Sequence, residues 1–424
     1  MANPAEKALA DEVLPLLRAP RDVWRWAAAN AHGAQMEGAV EILERAARQG
    51  DPGVALAVVQ RAVRASTTVL LRADDSSGII GGVVTDLLRL HAEVAQRAEP
   101  PARRLVDWLI AFQFDGRQDF FEIDPVAYRT ALGPAGIAMY RARLDEIASG
   151  TQPERGSDGA PGTRPEEWEH GIDAEHVRFL LEHNAQRLAV LDRDVDAIVA
   201  THAGDRSTAA VLEDTAEAFE EIGRIDLAVD WMRRAAFHRP PSHATSHAAD
   251  QWCRLMEQHR PEEALDARLI VFHLYPTAAS AAALRRASGP RWPEHEATVL
   301  EVLRDRPREA VLFVLRDRQD PVRALALMEE LESDDRDLRS MVAEALSEAD
   351  PVRALPLLGR LVQEELTVAD AHHYRLAARR LAAMRRLAHG TPHAVEVDEL
   401  IGDLRETHRR RPRLQAEFDR ARLP

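Results

Sequence analysis

The chain has 424 residues, 46% hydrophobic and 29% charged, which supplies enough apolar material for a core and excludes an intrinsically disordered polymer. A formal net charge of -15 repels phosphate and so weighs against nucleic-acid binding by the surface at large. The single cysteine, Cys253, excludes an intramolecular disulfide and a cysteine-rich zinc site, and the single lysine, Lys7, excludes lysine Schiff-base or phosphate-loop chemistry elsewhere in the chain.

Aromatic residues make up only 5%, and the abundance of Ala, Leu, Arg and Glu favours helices over strands. A first helix is expected from Pro4 to about Leu17, and Pro20-Arg21-Asp22 opens a second that carries Trp24, Trp26, Met36, Val40 and Leu43. Tryptophan and methionine at such spacing read as core. Asp51-Pro52-Gly53-Val54-Ala55-Leu56 starts a third helix, either as a loose copy of a later repeat or as a chance use of Asp-Pro, a good helix opening in its own right. Capping residues at Asp74-Asp75-Ser76-Ser77-Gly78 precede an amphipathic stretch with Val83, Leu87, Leu90 and Val94 on one face. Trp108, Leu109 and Phe112 follow, then a loop at Asp115-Gly116-Arg117 and further helix starts at Asp124-Pro125 and Gly133-Pro134.

From Gly150 to Pro165 the sequence is polar, Gly- and Pro-rich and without apolar periodicity, as a flexible linker is. Beyond it the helices read as pairs. Leu212, Ala216, Phe219 and Ile222 form one stripe, Gly223 ends that helix, and Ile225, Ala228, Val229, Met232, Ala235 and Ala236 form the next. The hexapeptide Asp320-Pro321-Val322-Arg323-Ala324-Leu325 returns unchanged at Asp350 to Leu355, thirty positions on. A small residue early in each second helix marks the repeat at Ala228, Ala264, Ala297, Ala324 and Ala354, separated by 36, 33, 27 and 30 residues. The expected organisation is therefore all-α: an N-terminal helical bundle over 1–149, a linker at 150–165, and over 166–424 a tetratricopeptide-like α-solenoid of hairpins closed by an arginine-rich cap.

The run Asp74-Asp75-Ser76-Ser77-Gly78 with Leu87, Leu88 and Leu90-His91-Ala92, then Leu105-Val106-Asp107-Trp108-Leu109, Tyr128, Leu132 to Gly136 and Tyr140-Arg141, resembles the helical region of bacterial SWIM zinc finger family proteins. The tail Leu404 to Leu414 resembles the end of those chains. The resemblance implies a helical-repeat module of that family without its finger, since one cysteine cannot supply the Cys-x-Cys and Cys-x-His ligands.

For chemistry, His243, His247 and Asp250 share one helix face at i, i+4 and i+7, a spacing that two imidazoles and a carboxylate can use to hold a divalent metal. The simpler reading is a polar face after Pro240-Pro241. Cys253 beside Trp252 reads as a buried small hydrophobe. No phosphate loop, dinucleotide fingerprint or nucleophile elbow occurs, so no cofactor is expected. His408 to Arg413 is a basic cluster interrupted by acids and without stacking aromatics, read as a solvated cap. The expected function is a non-enzymatic scaffold whose groove, lined by Asn184, Gln186, His247, Gln251 and Arg254, takes a protein or peptide. Nucleic-acid accessory and metal-dependent enzyme are the alternatives. With no signal peptide and no apolar run of membrane-spanning length, a cytoplasmic location is expected.

Overall fold

A computed structural model describes residues 3–19, 23–151, 174–204, 207–239 and 242–424. The helix start expected at Pro20 to Asp22, the Pro240-Pro241 pair and all of the expected linker beyond Thr151 lie outside those residues. Among the described residues every regular element is helical, and the one extended contact is an isolated bridge between Val23 and Ala73. No helix among them is long and apolar enough to cross a membrane.

The chain divides into two compact units, Met1–Trp231 and Met232–Pro424. The first holds α1 (Pro4–Leu17), α2 (Trp26–Gln49), α3 (Pro52–Leu70), α4 (Ile79–Ala98), α5 (Ala102–Phe114), α6 (Arg129–Thr151), α7 (Ala174–Asp192), α8 (Val195–Ile198) and α9 (Ala209–Glu221), with α10 (Ile225–Ala236) carrying the border. This division differs from the expected one, which assigned everything after 165 to the array. The reason is packing: α7 lies on α6, and its Leu188 and Leu191 belong to the first core together with Leu109, Tyr140 and Leu144.

Local sequence explains most element boundaries. Asp51 caps α3 by accepting from the amides of Gly53 at 2.7 Å and Val54 at 3.3 Å, with Pro52 in the first helical position. Gly133 breaks α6 with φ 57° and ψ 179°, a backbone state that Pro134 behind it also favours in its predecessor because it forbids an α-helical residue there. Gly223, at φ 77°, ends α9 as expected, and the amide of Arg224 returns to the carbonyl of Phe219 at 2.8 Å. Phe219 meets Trp231 of α10 with ring centroids 6.2 Å apart.

In the second unit α11 (His243–His259), α12 (Ala264–Leu274), α13 (Ala278–Ser288), α14 (Trp292–Leu303), α15 (Pro307–Leu312), α16 (Pro321–Glu330), α17 (Arg336–Ala349), α18 (Pro351–Thr367), α19 (Ala371–Ala388), α20 (Ala394–Thr407) and α21 (Pro412–Arg420) follow. From α11 to α20 each helix packs on the next in chain order, which is what a repeat array requires. Both copies of the hexapeptide start a helix with Asp as the cap, Asp320 over α16 and Asp350 over α18. Equivalent positions are buried alike: Ala324 and Ala354 at 0% exposure, Leu325 and Leu355 at 9% and 7%.

The repeat is also written in ion pairs. Arg285 with Asp317, Arg304 with Glu330, Arg308 with Asp335, Arg336 with Glu365 and Arg339 with Glu364 join residues 25 to 32 positions apart, about one period. Arginine suits this role because its planar fork reaches a carboxylate across a helix pair with its stem packed beneath it.

One marker is corrected. Ala297 of α14 is exposed, and Trp292, Val299 and Leu303 fill that seam instead. Ala354→Leu is therefore expected to cost about 1–3 kcal/mol by overpacking, whereas Ala297→Leu stays within about 0.5 kcal/mol. Urea unfolding of both variants checks this difference.

Candidate interaction surface

The residues expected at a metal site and in a groove are placed as follows. Ser242 and Thr245 form a reciprocal cap at the start of α11, so His243, His247 and Asp250 do share a helix face, and all three are exposed. Asp250 is taken by Arg268 of α12 at 2.6 Å, and the same guanidinium binds Glu257 at 2.6 Å. Among the described residues no three His, Cys, Asp or Glu side chains are placed to hold a metal ion. Cys253 is fully buried, and burial pushes its thiol up to about 12, so it is a packing residue and not a nucleophile at neutral pH.

Asn184 is not a groove residue. It is at 0% exposure, accepts from the hydroxyl of Tyr140 at 2.6 Å and donates to Gln113 Oε1 at 2.9 Å and to the carbonyl of Leu180 at 2.8 Å. A polar side chain with every bond made inside the core has none to offer a partner. Gln186 donates to the carbonyl of Thr201 at 3.3 Å. Gln251 accepts from Arg254 at 2.7 Å, and Arg254 also donates to Gln258 at 3.0 Å, so these α11 side chains bond along their own helix. Asn184 and Gln186 belong to the first unit, and His247, Gln251 and Arg254 to the second.

Three segments of the first unit meet at Arg187. Its guanidinium binds Asp124 through two bonds of 2.9 and 2.8 Å and Glu221 through two of 2.7 and 2.8 Å. That fork-to-fork geometry joins α7, the end of α9 and the loop before α6. His183 and His202 stand in the same electrostatic neighbourhood, and burial lowers both below the usual imidazole range. The ring of His202 bonds the carbonyl of Ile198 at 3.1 Å from within the π-helical turn Val199–Ala203. The guanidinium is already satisfied by two carboxylates, so this cluster fastens elements together.

What sequence reasoning missed lies elsewhere in the first unit. Trp24 and Trp26 were expected in the core and are 61% and 57% exposed. The segment that carries them is held by the Val23–Ala73 bridge, with the amide of Asp74 donating to the carbonyl of Val23 at 3.1 Å. Ser77 donates to Asn30 at 2.6 Å and ties α2 to the turn before α4. The bridge brings the Trp24 segment beside the end of α3, where Leu71 is 46% exposed and Arg72 also faces solvent. Arg25 lies between the two tryptophans and is exposed. The signal available in the sequence was the Trp-Arg-Trp alternation, a period of two that fits an extended approach and not a helix. Large aromatic side chains left in water next to arginine have the composition of a protein-binding hot spot.

The model of a family described as one of unknown function (DUF6880) matches residues 7–413. No curated protein matches the chain. Among solved structures, a circular tandem repeat protein with novel repeat topology and enhanced subunit contact surfaces is similar at 14% identity, over 98% of this chain and 96% of that one, with a TM-score of 0.21. At that score the fold rests on the helices described above.

Proposed function

The chain belongs to this family of unknown function, DUF6880, and we propose that it is a non-enzymatic scaffold that receives a protein or peptide partner on the Trp24–Trp26 surface. The observation that carries the reading is the exposure of two tryptophans on a structurally fixed segment. Burying one large apolar side chain is worth about 1.5–3 kcal/mol, so leaving two in water is sustained where a partner covers them. Arg25 and Arg72 beside them favour a partner that presents apolar residues flanked by carboxylates.

A nucleic-acid role, the alternative drawn from the resemblance to SWIM zinc finger proteins, has less support. Several arginines near the end of the chain that would serve it are bound within the chain: Arg405 to Asp419 at 2.8 Å, Arg411 to the carbonyl of Leu366 at 2.8 Å, and, on the surface, Arg409 to Glu406 at 2.5 Å.

The purified chain used as bait in lysate of its own source is expected to retain a defined protein. Trp24→Ala with Trp26→Ala should lower that retention by roughly tenfold or more, with the circular dichroism unchanged. Undiminished retention by the double variant would overturn the assignment of this surface.

A further inference from the structure

A different part of the first unit has the form of a small-molecule site. We propose that the cavity between α3 and the loop after α5 binds a small planar monoanion, a single aromatic ring bearing a carboxylate.

The wall is aromatic and fixed. Trp108 and Phe112, one turn apart on α5, stand nearly parallel with centroids 5.5 Å apart and planes inclined by 12°. Behind Trp108 the ring of His91 stacks at 3.9 Å, and that imidazole is pinned by Tyr128 Oη at 2.8 Å and Gln60 Nε2 at 3.1 Å. The tryptophan plane is thus set by a buried polar network before any ligand arrives. A ligand ring entering the cavity meets a preset aromatic wall and packs against it without an ordering cost.

The mouth is fixed as well. Gln118, 5% exposed, donates to the carbonyls of Phe112 at 3.1 Å and Phe121 at 2.9 Å and accepts from the amides of Phe120 at 3.0 Å and Phe121 at 2.8 Å. One buried side chain with four bonds makes residues 112–121 a preformed loop. The cavity it closes has a volume of about 60 Å³. A single buried water needs roughly 10–15 Å³ of such space, so the room suits one ring and not a nucleotide.

Charge selects the ligand. Arg64 and Arg117 both line the cavity, and among the described residues Asp115 is the one carboxylate there. Arg117 faces Asp115 at 3.4 Å, while Arg64 has no ion pair among the described residues. Two guanidinium groups against one carboxylate leave one positive charge at the rim, which matches a monoanion directed to Arg64. The hydroxyls of Thr67 and Thr68 each donate to a carbonyl of α3 at 2.8 Å, so toward the cavity they offer lone pairs only. A ring that also carries a hydroxyl donor complements them, which favours 4-hydroxybenzoate over benzoate.

Titration of the full chain with benzoate, 4-hydroxybenzoate and the neutral benzamide, followed by tryptophan fluorescence and calorimetry, tests this. Saturable binding of both acids is expected, tighter for 4-hydroxybenzoate, with benzamide weaker by roughly tenfold or more. Arg64→Gln should weaken both acids to a similar degree and Arg117→Gln to a lesser one, while Arg409→Gln in the second unit leaves them unchanged. The proposal is overturned by the absence of saturable binding at millimolar acid, by benzamide binding as well as benzoate, or by wild-type affinity in Arg64→Gln.

Discussion

Arg339→Ala is expected to lower the unfolding free energy of the second unit by about 3–5 kcal/mol. Arg339 is at 1% exposure and heads the set of largest fully buried side chains. It donates to Asp334 at 2.6 Å and to Glu364, while Arg360 binds the same Asp334 and Arg336 binds Glu365. Arg380 lies 3.6 Å from Glu365, which is itself at 0% exposure. The network therefore clasps α17, α18 and α19, the helices around the second copy of the hexapeptide. Alanine removes a long packed stem and leaves acids without their cation, two costs that act together. Arg339→Met separates them, because the stem is retained while Asp334, 76% exposed, and Glu364, 30% exposed, can turn to water or to Arg360. Its cost should fall to about 1–2 kcal/mol. Urea unfolding of the two variants reads the difference, and equal losses would show that charge, not packing, carries the effect.

Acid is expected to weaken the first unit through His91. This imidazole is fully buried, and burial drives it from its usual value near 6.5 down to about 3. Because the folded value is the lower one, the unfolded chain binds the extra proton first. Stability is then complete above about pH 6.5 and falls as the pH drops toward 3. One such proton is worth about 1.4 kcal/mol per pH unit, so His91 accounts for a loss of about 2 kcal/mol between pH 7 and pH 5. His183 and His202 are lowered by burial too and act in the same direction, so some acid sensitivity persists without His91. His91→Gln should be less stable at pH 7, since it gives up the stack on Trp108, yet show a shallower pH slope. Urea titrations at the two pH values, monitored by tryptophan fluorescence, check this. Identical slopes for variant and wild type would refute it.

What the sequence made legible was local. Asp51, Asp320 and Asp350 announce helix starts because a carboxylate caps amides two or three residues away and proline fits the first turn, with no distant residue involved. The buried equivalence of Ala324 and Ala354 follows from an identical hexapeptide in the same setting. Failures occurred where a tertiary partner decides the environment. Asn184 looks like a surface residue on its helix until Gln113, 71 positions away, and Tyr140, 44 positions away, close around it. Ala297 has the expected spacing, but Trp292 occupies the seam. Trp24 and Trp26 look like core residues, and the bridge to Ala73 instead holds their segment with both rings in water. The cavity beside Trp108 needs α3, α5 and a loop at once, and neither spacing nor composition encodes that meeting.

The central structural claim is that the second unit is an array in which each helical pair leans on its neighbours. Deletion of residues 394–424, which removes α20 and α21, tests it most directly when followed by amide hydrogen exchange. A stacked array predicts lower thermal stability and lost protection in α19, with α11 to α16 still protected, because stability there is a sum over neighbours. Loss of protection throughout the second unit would mean a single cooperative globule and would contradict the account.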